Sequence, residues 1–165
     1  MFGRVAGLAA ARHAKGKTKS ALSQARIKDS EKEMDNLLNR TGKENLPKIR
    51  QEMQATMDET AGILRSGQDL QTGIDKISEL QERSKNIALN DKSTVFNPEL
   101  IACMELNCML KVSEAVLRSA LARKESRGAH YRTDYPKPDD ANFLKHSLAI
   151  KSGQDMRITE QPVTK

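Results

Sequence analysis

The side chains most suited to chemistry lie in one short segment, RGAHYRTDYP, at positions 127–136. His130 and Asp134 are four positions apart and could form half of an acid–base pair, because a carboxylate can orient an imidazole. The segment offers no candidate nucleophile. The sequence also lacks the glycine-rich phosphate loops, the nucleophile elbow and the HExxH metal motif. We therefore expect no catalytic and no cofactor-binding residue in this chain, and a structural role for His130.

The same segment combines both tyrosines of the chain with several charged side chains. Tyr and Arg are enriched where proteins anchor their partners. The alternative is a solvated loop held by its own ion pairs, which would contribute little energy. We favour a contact surface, and its predicted interface residues are Arg127, His130, Tyr131, Arg132, Asp134 and Tyr135.

The two cysteines, Cys103 and Cys108, are five positions apart on a predicted helix. Their side chains then point in different directions, and their backbones are too far apart for a disulfide. No His or Cys lies near them at metal-ligand spacing. We predict two buried thiols in a reducing compartment and no metal site.

The net charge of +6 comes from the N-terminus of the chain. Residues 1–26 carry six basic and no acidic side chains, so the other 139 residues hold 22 of each sign. A balanced main body offers no basic stripe for phosphates, and we predict no nucleic-acid partner. The composition of residues 1–26 also fits an organellar transit peptide. No stretch has the roughly 18 uninterrupted apolar residues of a membrane span, so we predict no membrane insertion.

Apolar spacing predicts a mainly helical fold. Hydrophobic residues make up 37% of the chain and aromatic residues 3%, which indicates a thin core. Short links between amphipathic helices imply antiparallel neighbours in a bundle. Asn97-Pro98-Glu99 is a strong helix start, and the helix that follows is apolar on most sides, as expected of a central element. A hairpin with strands at 143–150 and 156–163, closing before Pro162, must dock onto the helices. The predicted helices span residues 4–15, 20–40, 45–66, 69–89 and 98–125.

Several segments resemble one known family. LRSALARKESRGAHYRTDYP (117–136) is similar to the C-terminal helical domain of the succinate dehydrogenase/fumarate reductase flavoprotein family. IRQEMQATMDETAGILRSGQDL (49–70) looks like the first long helix of that domain. NFLKHSLAI followed by MRITEQPV is similar to its terminal hairpin, and FGRVAG (2–7) resembles the closing helix of the FAD-binding domain. The resemblance covers nearly the whole chain and argues against a transit peptide.

The resemblance implies an antiparallel three-helix, spectrin-repeat-like bundle with flanking N-terminal helices, an irregular segment and a C-terminal β-hairpin. It divides the chain into an edge of the FAD-binding domain (1–18), the helical bundle (19–126), and a polar junction with the hairpin (127–165). The parent subunit carries FAD and exchanges hydride with succinate or fumarate. Its partners are its own FAD-binding domain and an iron–sulfur subunit, at the cytoplasmic face of the membrane.

The family's flavin-binding and substrate-binding motifs have no matching position in this sequence. We therefore expect the segment alone to bind no flavin and to be inactive. Two alternatives remain at this point. L-aspartate oxidase shares the SRGxHxxxDYP-like stretch, and a free-standing helical adaptor could have kept the bundle without the chemistry.

Overall fold

The computed structural model describes residues 2–18, 21–153 and 155–163, which form two compact units dividing between Asp35 and Asn36. The first unit contains helix α1 (Phe2–Ala14) and most of helix α2 (Gln24–Asn39). Both correspond to predicted helices, although Ser20, the predicted start of the second, lies outside the described residues. No residue of α1 is buried, whereas the last turn of α2, in the second unit, buries Leu37 and Leu38.

Three long helices build the second unit, and each begins at a side-chain cap. Helix α3 (Leu46–Thr60) follows Asn45, helix α4 (Gly67–Ser84) follows Ser66, and helix α5 (Pro98–Ala122) follows Asn97. Each capping oxygen accepts a hydrogen bond from the backbone N–H three residues later, which satisfies one of the free donors of the first turn. The predicted start at Asn97 is confirmed.

The three helices contact one another pairwise and alternate in direction. Arg83, at the end of α4, pairs with Glu52 in the first half of α3. At the other end, Gly73 of α4 faces Thr60 in the last turn of α3 and Leu117 near the end of α5. The core between them is formed by fully buried aliphatic side chains, among them Ile49, Leu70, Ile77, Leu80, Leu106, Leu110 and Leu117.

The helices predicted over 45–66 and 69–89 both end several residues earlier than expected. The prediction of one helix over 45–66 is wrong beyond Thr60, because strand β1 (Leu64–Arg65) pairs in parallel with strand β2 (Tyr131–Arg132). Helix α4 starts at Gly67, two residues before the predicted start at 69, because Ser66 provides its cap. Ile87 was predicted on this helix but follows its end, buried in a bridge with Glu44. The two early helix ends coincide with long-range pairing that local periodicity does not report.

The predicted C-terminal hairpin is confirmed and lies against α5. After the single helical turn α6 (Asp140–Phe143), strand β3 (Lys145–Ser152) pairs antiparallel with strand β4 (Asp155–Pro162). The second strand does not close before Pro162 as predicted, since Pro162 pairs with Lys145 at the end of the ladder. The docking that an isolated hairpin requires is therefore provided by the central helix.

One apolar face of α5 is uncovered in this chain. Ile101, Met104, Val112 and Val116 are exposed, although the helix also contacts α3, α4 and both strands of the hairpin.

Of the two cysteines, Cys103 is buried but Cys108 is exposed, so the prediction of two buried thiols is wrong for Cys108. Five residues rotate the helix by about 140°, which places the second thiol on another side. Among the described helices, none combines the length and apolarity needed to cross a membrane.

Candidate functional site

In the structure the polar junction extends from residue 123 to residue 140 and includes Arg65, which contacts His130. It is centred on a carboxylate with no exposed surface. Glu125 accepts hydrogen bonds from Nε and Nη2 of Arg127, both at 2.9 Å, and from the backbone N–H of Asp139 at 2.8 Å. Arg123 pairs with the same carboxylate from the other side. The hydrogen bonds from Arg127 lower the pKa of Glu125 to about 2, against the opposing effect of burial. The charge of Glu125 thus joins the end of α5 to the segment before α6.

A second ion pair, between the buried Arg132 and the exposed Asp134, connects the ends of two helices. Arg132 is 2% exposed, and its Nη1 donates to the carbonyls of Ala120 and Leu121, at 3.0 and 3.2 Å, in the last turn of α5. Nε and Nη2 of Arg132 donate to Asp134, both at 2.7 Å, and Asp134 accepts from the N–H of Gly67 at 3.0 Å.

The two charges of this pair match the helix ends that they contact. The arginine lies at the negative C-terminus of α5 and the aspartate at the positive N-terminus of α4. The hydrogen bonds from Arg132 hold the pKa of Asp134 well below its ordinary value. This pair therefore fixes α4 and α5 to the loop that contains it.

His130 occupies a defined position between two chain segments. Its Nδ1 lies 3.1 Å from Nη1 of Arg65, and its Nε2 lies 3.2 Å from the carbonyl oxygen of Arg123. Since a guanidinium only donates and a carbonyl only accepts, these contacts assign the neutral ring with the proton on Nε2. Burial lowers the pKa of His130, and three surrounding arginines act in the same direction.

The structure does not form the His130–Asp134 acid–base pair considered from the sequence. Both nitrogens of His130 are engaged by Arg65 and Arg123, and Asp134 accepts from Arg132 and Gly67. The geometry is that of a structural junction. Within residues 2–18, 21–153 and 155–163, no group of three or more metal-ligating side chains could hold an ion.

The predicted interface residues differ in accessibility. Tyr131 and Tyr135 are 41% and 39% exposed, and the Arg132 guanidinium lies 5.1 Å from the Tyr135 ring centroid. Arg127 is partly exposed, whereas the Arg132 side chain is buried and bonds to groups of this chain. The interface itself stays a prediction, and the two tyrosines, Arg127 and Asp134 are the members whose partly exposed side chains can reach a partner directly.

Sequence reasoning missed three residues of the junction: Arg65, Arg123 and Glu125. Arg123 donates to the carbonyls of Phe143 and Lys145, and so attaches the hairpin to the end of α5. The signal for Glu125 was its position as a single acid in the basic run RKESR. Nothing local indicated Arg65, because it is more than 60 residues away from His130 in the chain.

These features define a class of protein: a mainly helical structural domain with a C-terminal hairpin, in which buried charges join the domain's own elements. A family model described as fumarate reductase flavoprotein C-term matches residues 50–165. The chain belongs to this family, the C-terminal domain of fumarate reductase and succinate dehydrogenase flavoprotein subunits. The resemblance noted from the sequence is confirmed.

Known proteins match the whole chain but only part of their own length. The fumarate reductase flavoprotein subunit of Escherichia coli is 42% identical over 100% of this chain and 29% of that protein. A chain of E. coli quinol fumarate reductase superposes with a TM-score of 0.89 at 42% identity, covering 98% of this chain and 28% of the other. A chain of the Mycobacterium smegmatis Sdh1 complex gives 0.86 at 32% identity, covering 98% and 28%. The present chain thus spans less than a third of the proteins that it matches.

Proposed function

We propose that this chain is the C-terminal helical domain of a succinate dehydrogenase/fumarate reductase flavoprotein, and that it braces the FAD-binding domain and the iron–sulfur partner during electron transfer. The observation that carries this proposal is the match of the entire chain to 29% of the E. coli fumarate reductase flavoprotein subunit at 42% identity. The names of the similar proteins favour this assignment over an L-aspartate oxidase domain or a free-standing adaptor.

The proposal extends to architecture and location. Helices α3, α4 and α5 form a spectrin-repeat-like bundle, residues 1–18 are an edge of the FAD-binding domain, and residues 127–165 are the junction and hairpin. The parent complex works at the cytoplasmic face of the membrane.

The uncovered face of α5 supports a bracing role. Ile101, Met104, Val112 and Val116 lie at helical spacing and are 40–62% exposed. Contiguous exposed apolar surface of this kind is typical of a contact region. The exposed tyrosines 131 and 135, close to the end of the same helix, supply the aromatic anchors of such a contact.

The bracing role is tested in the complete flavoprotein with the double substitution Tyr131→Ser and Tyr135→Ser. Both side chains are partly exposed, and neither supplies a charge to the ion pairs of Glu125 and Asp134. We expect less bound flavin and less co-purified iron–sulfur subunit than in the wild type. The matched control, Tyr131→Phe with Tyr135→Phe, retains both rings and should assemble normally. Normal assembly of the serine variant contradicts the bracing role.

The expected lack of activity is tested with the chain alone. The purified 165-residue chain should show no flavin absorbance and no fumarate-dependent oxidation of reduced viologen. The flavin-binding and substrate residues of the family lie outside the segment, so adding FAD should restore neither signal. A yellow protein that turns over fumarate contradicts the proposal.

A further inference from the structure

An open cavity lies beside the end of α5, between the polar junction and the hairpin. Its volume is about 540 Å³, and residues of all three elements line it. Sites for small molecules commonly have volumes of roughly 300–1,000 Å³. Every lining residue belongs to the second unit, so the cavity is formed within that unit.

The charged side chains that line this cavity are all cationic. No aspartate or glutamate lines it in the part of the chain that the structure describes. A concave surface with charges of one sign attracts ions of the opposite sign. The cavity therefore favours an anion over a neutral or cationic ligand. Its four lining cations are Arg65, Arg123, Arg127 and Lys145.

Arg65 differs from the other lining cations because it has no carboxylate partner among the described residues. Its Nε donates to the carbonyls of Ala61 and Gly62 at 3.1 and 2.8 Å, and its Nη1 lies 3.1 Å from Nδ1 of His130. These partners are neutral. The other three cations pair with three carboxylates, which leaves an excess of one positive charge at the cavity. Those carboxylates belong to Glu125, Asp140 and Glu160.

The titration of His130 is consistent with a positive potential at this surface. His130 also lines the cavity. Burial lowers the pKa of its ring, and the charges of Arg65, Arg132 and Arg123 lower it further. The imidazole thus stays neutral beside a guanidinium that carries the unbalanced charge.

Three exposed apolar side chains line the same cavity. Val116 of α5 is 40% exposed, Leu144 is 57% exposed, and Val163, which follows β4, is 45% exposed. Small-molecule sites typically combine apolar walls with a few polar groups that fix the orientation of the ligand. An apolar wall next to one unbalanced cation suits a ligand with an apolar body and a single anionic group.

We propose that this cavity binds a small organic monocarboxylate. The carboxylate pairs with the guanidinium of Arg65, whose Nη2 donates no hydrogen bond to the described residues, and the apolar body lies against Val116 and Leu144. A guanidinium suits this role because its N–H groups form a planar fork that matches a carboxylate. One negative charge on the ligand balances the excess positive charge. The inference is independent of the proposed function, since it uses only residues of this chain.

An NMR titration of the isotope-labelled 165-residue chain with 4-phenylbutyrate tests the site. We expect saturable shifts in the backbone signals of residues 143–147 and in the Nε–H signal of Arg65. The Kd should be at least tenfold lower than for 4-phenylbutan-1-ol, which lacks the charge, and for acetate, which lacks the apolar body. Inorganic phosphate should also bind at least tenfold more weakly.

Each of the other results overturns the proposal. Equal binding of the alcohol means that apolar contact alone holds the ligand, and equal binding of acetate or phosphate means a basic surface without selectivity. The absence of shifts in these signals means that the cavity is not a site for this class of ligand.

Variants locate the two halves of the ligand. Arg65→Gln removes the unbalanced charge and should raise the Kd for 4-phenylbutyrate at least tenfold. Leu144→Ser shortens the apolar wall and should raise it roughly fivefold. The matched control is Leu148→Ser in β3, since Leu148 is 38% exposed but does not line the cavity. If Arg65→Gln does not fold, the leucine pair decides the outcome, because an equal Kd for Leu144→Ser and Leu148→Ser overturns the site.

Discussion

The substitution Glu125→Gln removes the buried charge at the centre of the polar junction while keeping its shape. Glutamine leaves Arg123 without the anion it pairs with, and among the described residues Arg127 keeps its ion pair with Asp140. A pKa of about 2 in the folded protein, against roughly 4.3 in an unfolded chain, corresponds to about 3 kcal/mol at neutral pH. Breaking a buried ion pair by removing one partner has a similar cost of about 3–5 kcal/mol. We expect the variant to lose about 3 kcal/mol of unfolding free energy, which lowers Tm by roughly 6–12 °C.

The pH dependence of this loss has a definite sign. Because the pKa of Glu125 is lower in the folded state, its contribution is fully present above pH ~4.3 and is lost as pH falls towards about 2. The difference in Tm between wild type and Glu125→Gln should therefore be constant from pH 5 to 8 and nearly vanish at pH 2. Other carboxylates titrate in both proteins and cancel in the difference.

Thermal unfolding followed by circular dichroism measures this difference. The matched control is Glu82→Gln, since Glu82 is 71% exposed and pairs only with the exposed Lys85 in the described part of the chain. The control should change Tm by less than about 1 °C, as expected for a surface pair. A loss below about 2 °C for Glu125→Gln at pH 7, or a loss that persists unchanged to pH 2, refutes the assignment of stability to this carboxylate.

Three further predictions concern neighbouring contacts. Arg132→Lys should lower the unfolding free energy by about 1–3 kcal/mol in urea titrations, because an ammonium lacks the planar fork that bonds both the α5 carbonyls and the carboxylate of Asp134; an unchanged midpoint contradicts this. Gly73→Ala should cost about 1–3 kcal/mol in the same assay, despite the better helix propensity of alanine, since a Cβ would lie 2.4 Å from Oγ1 of Thr60; a gain in stability would show that the helices separate easily. In NMR spectra the neutral ring of His130 should carry its proton on Nε2, and the midpoint of its titration should lie below the ordinary pKa of about 6.5. The unfolding free energy should fall as pH drops below that value, because the unfolded state then binds the proton more readily. A midpoint above 6.5 contradicts the burial argument.

The helical elements were predictable because their signals are local. The caps at Asn97 and the apolar spacing of α4 and α5 depend on residues within a few turns of one another. The hairpin was predictable for the same reason, since its strands flank a short turn at Gly153. The family, too, was recognisable from a contiguous segment, residues 117–136.

The internal contacts of the junction were not predictable from the sequence. The pairing of Arg65 with His130 and of Gly67 with Asp134 joins residues more than 60 positions apart.

The amino-acid sequence by itself determined the helical class, the hairpin and the family, since each depends on residues that are close together in the chain. Only the tertiary structure decided which charges are buried, that the Arg132 side chain lies in the interior, and that Tyr131 and Tyr135 remain at the surface. The physical reason is that burial and ion pairing depend on which helix ends meet. The contribution of a charged side chain to the unfolding free energy depends on the groups that surround it in the folded structure.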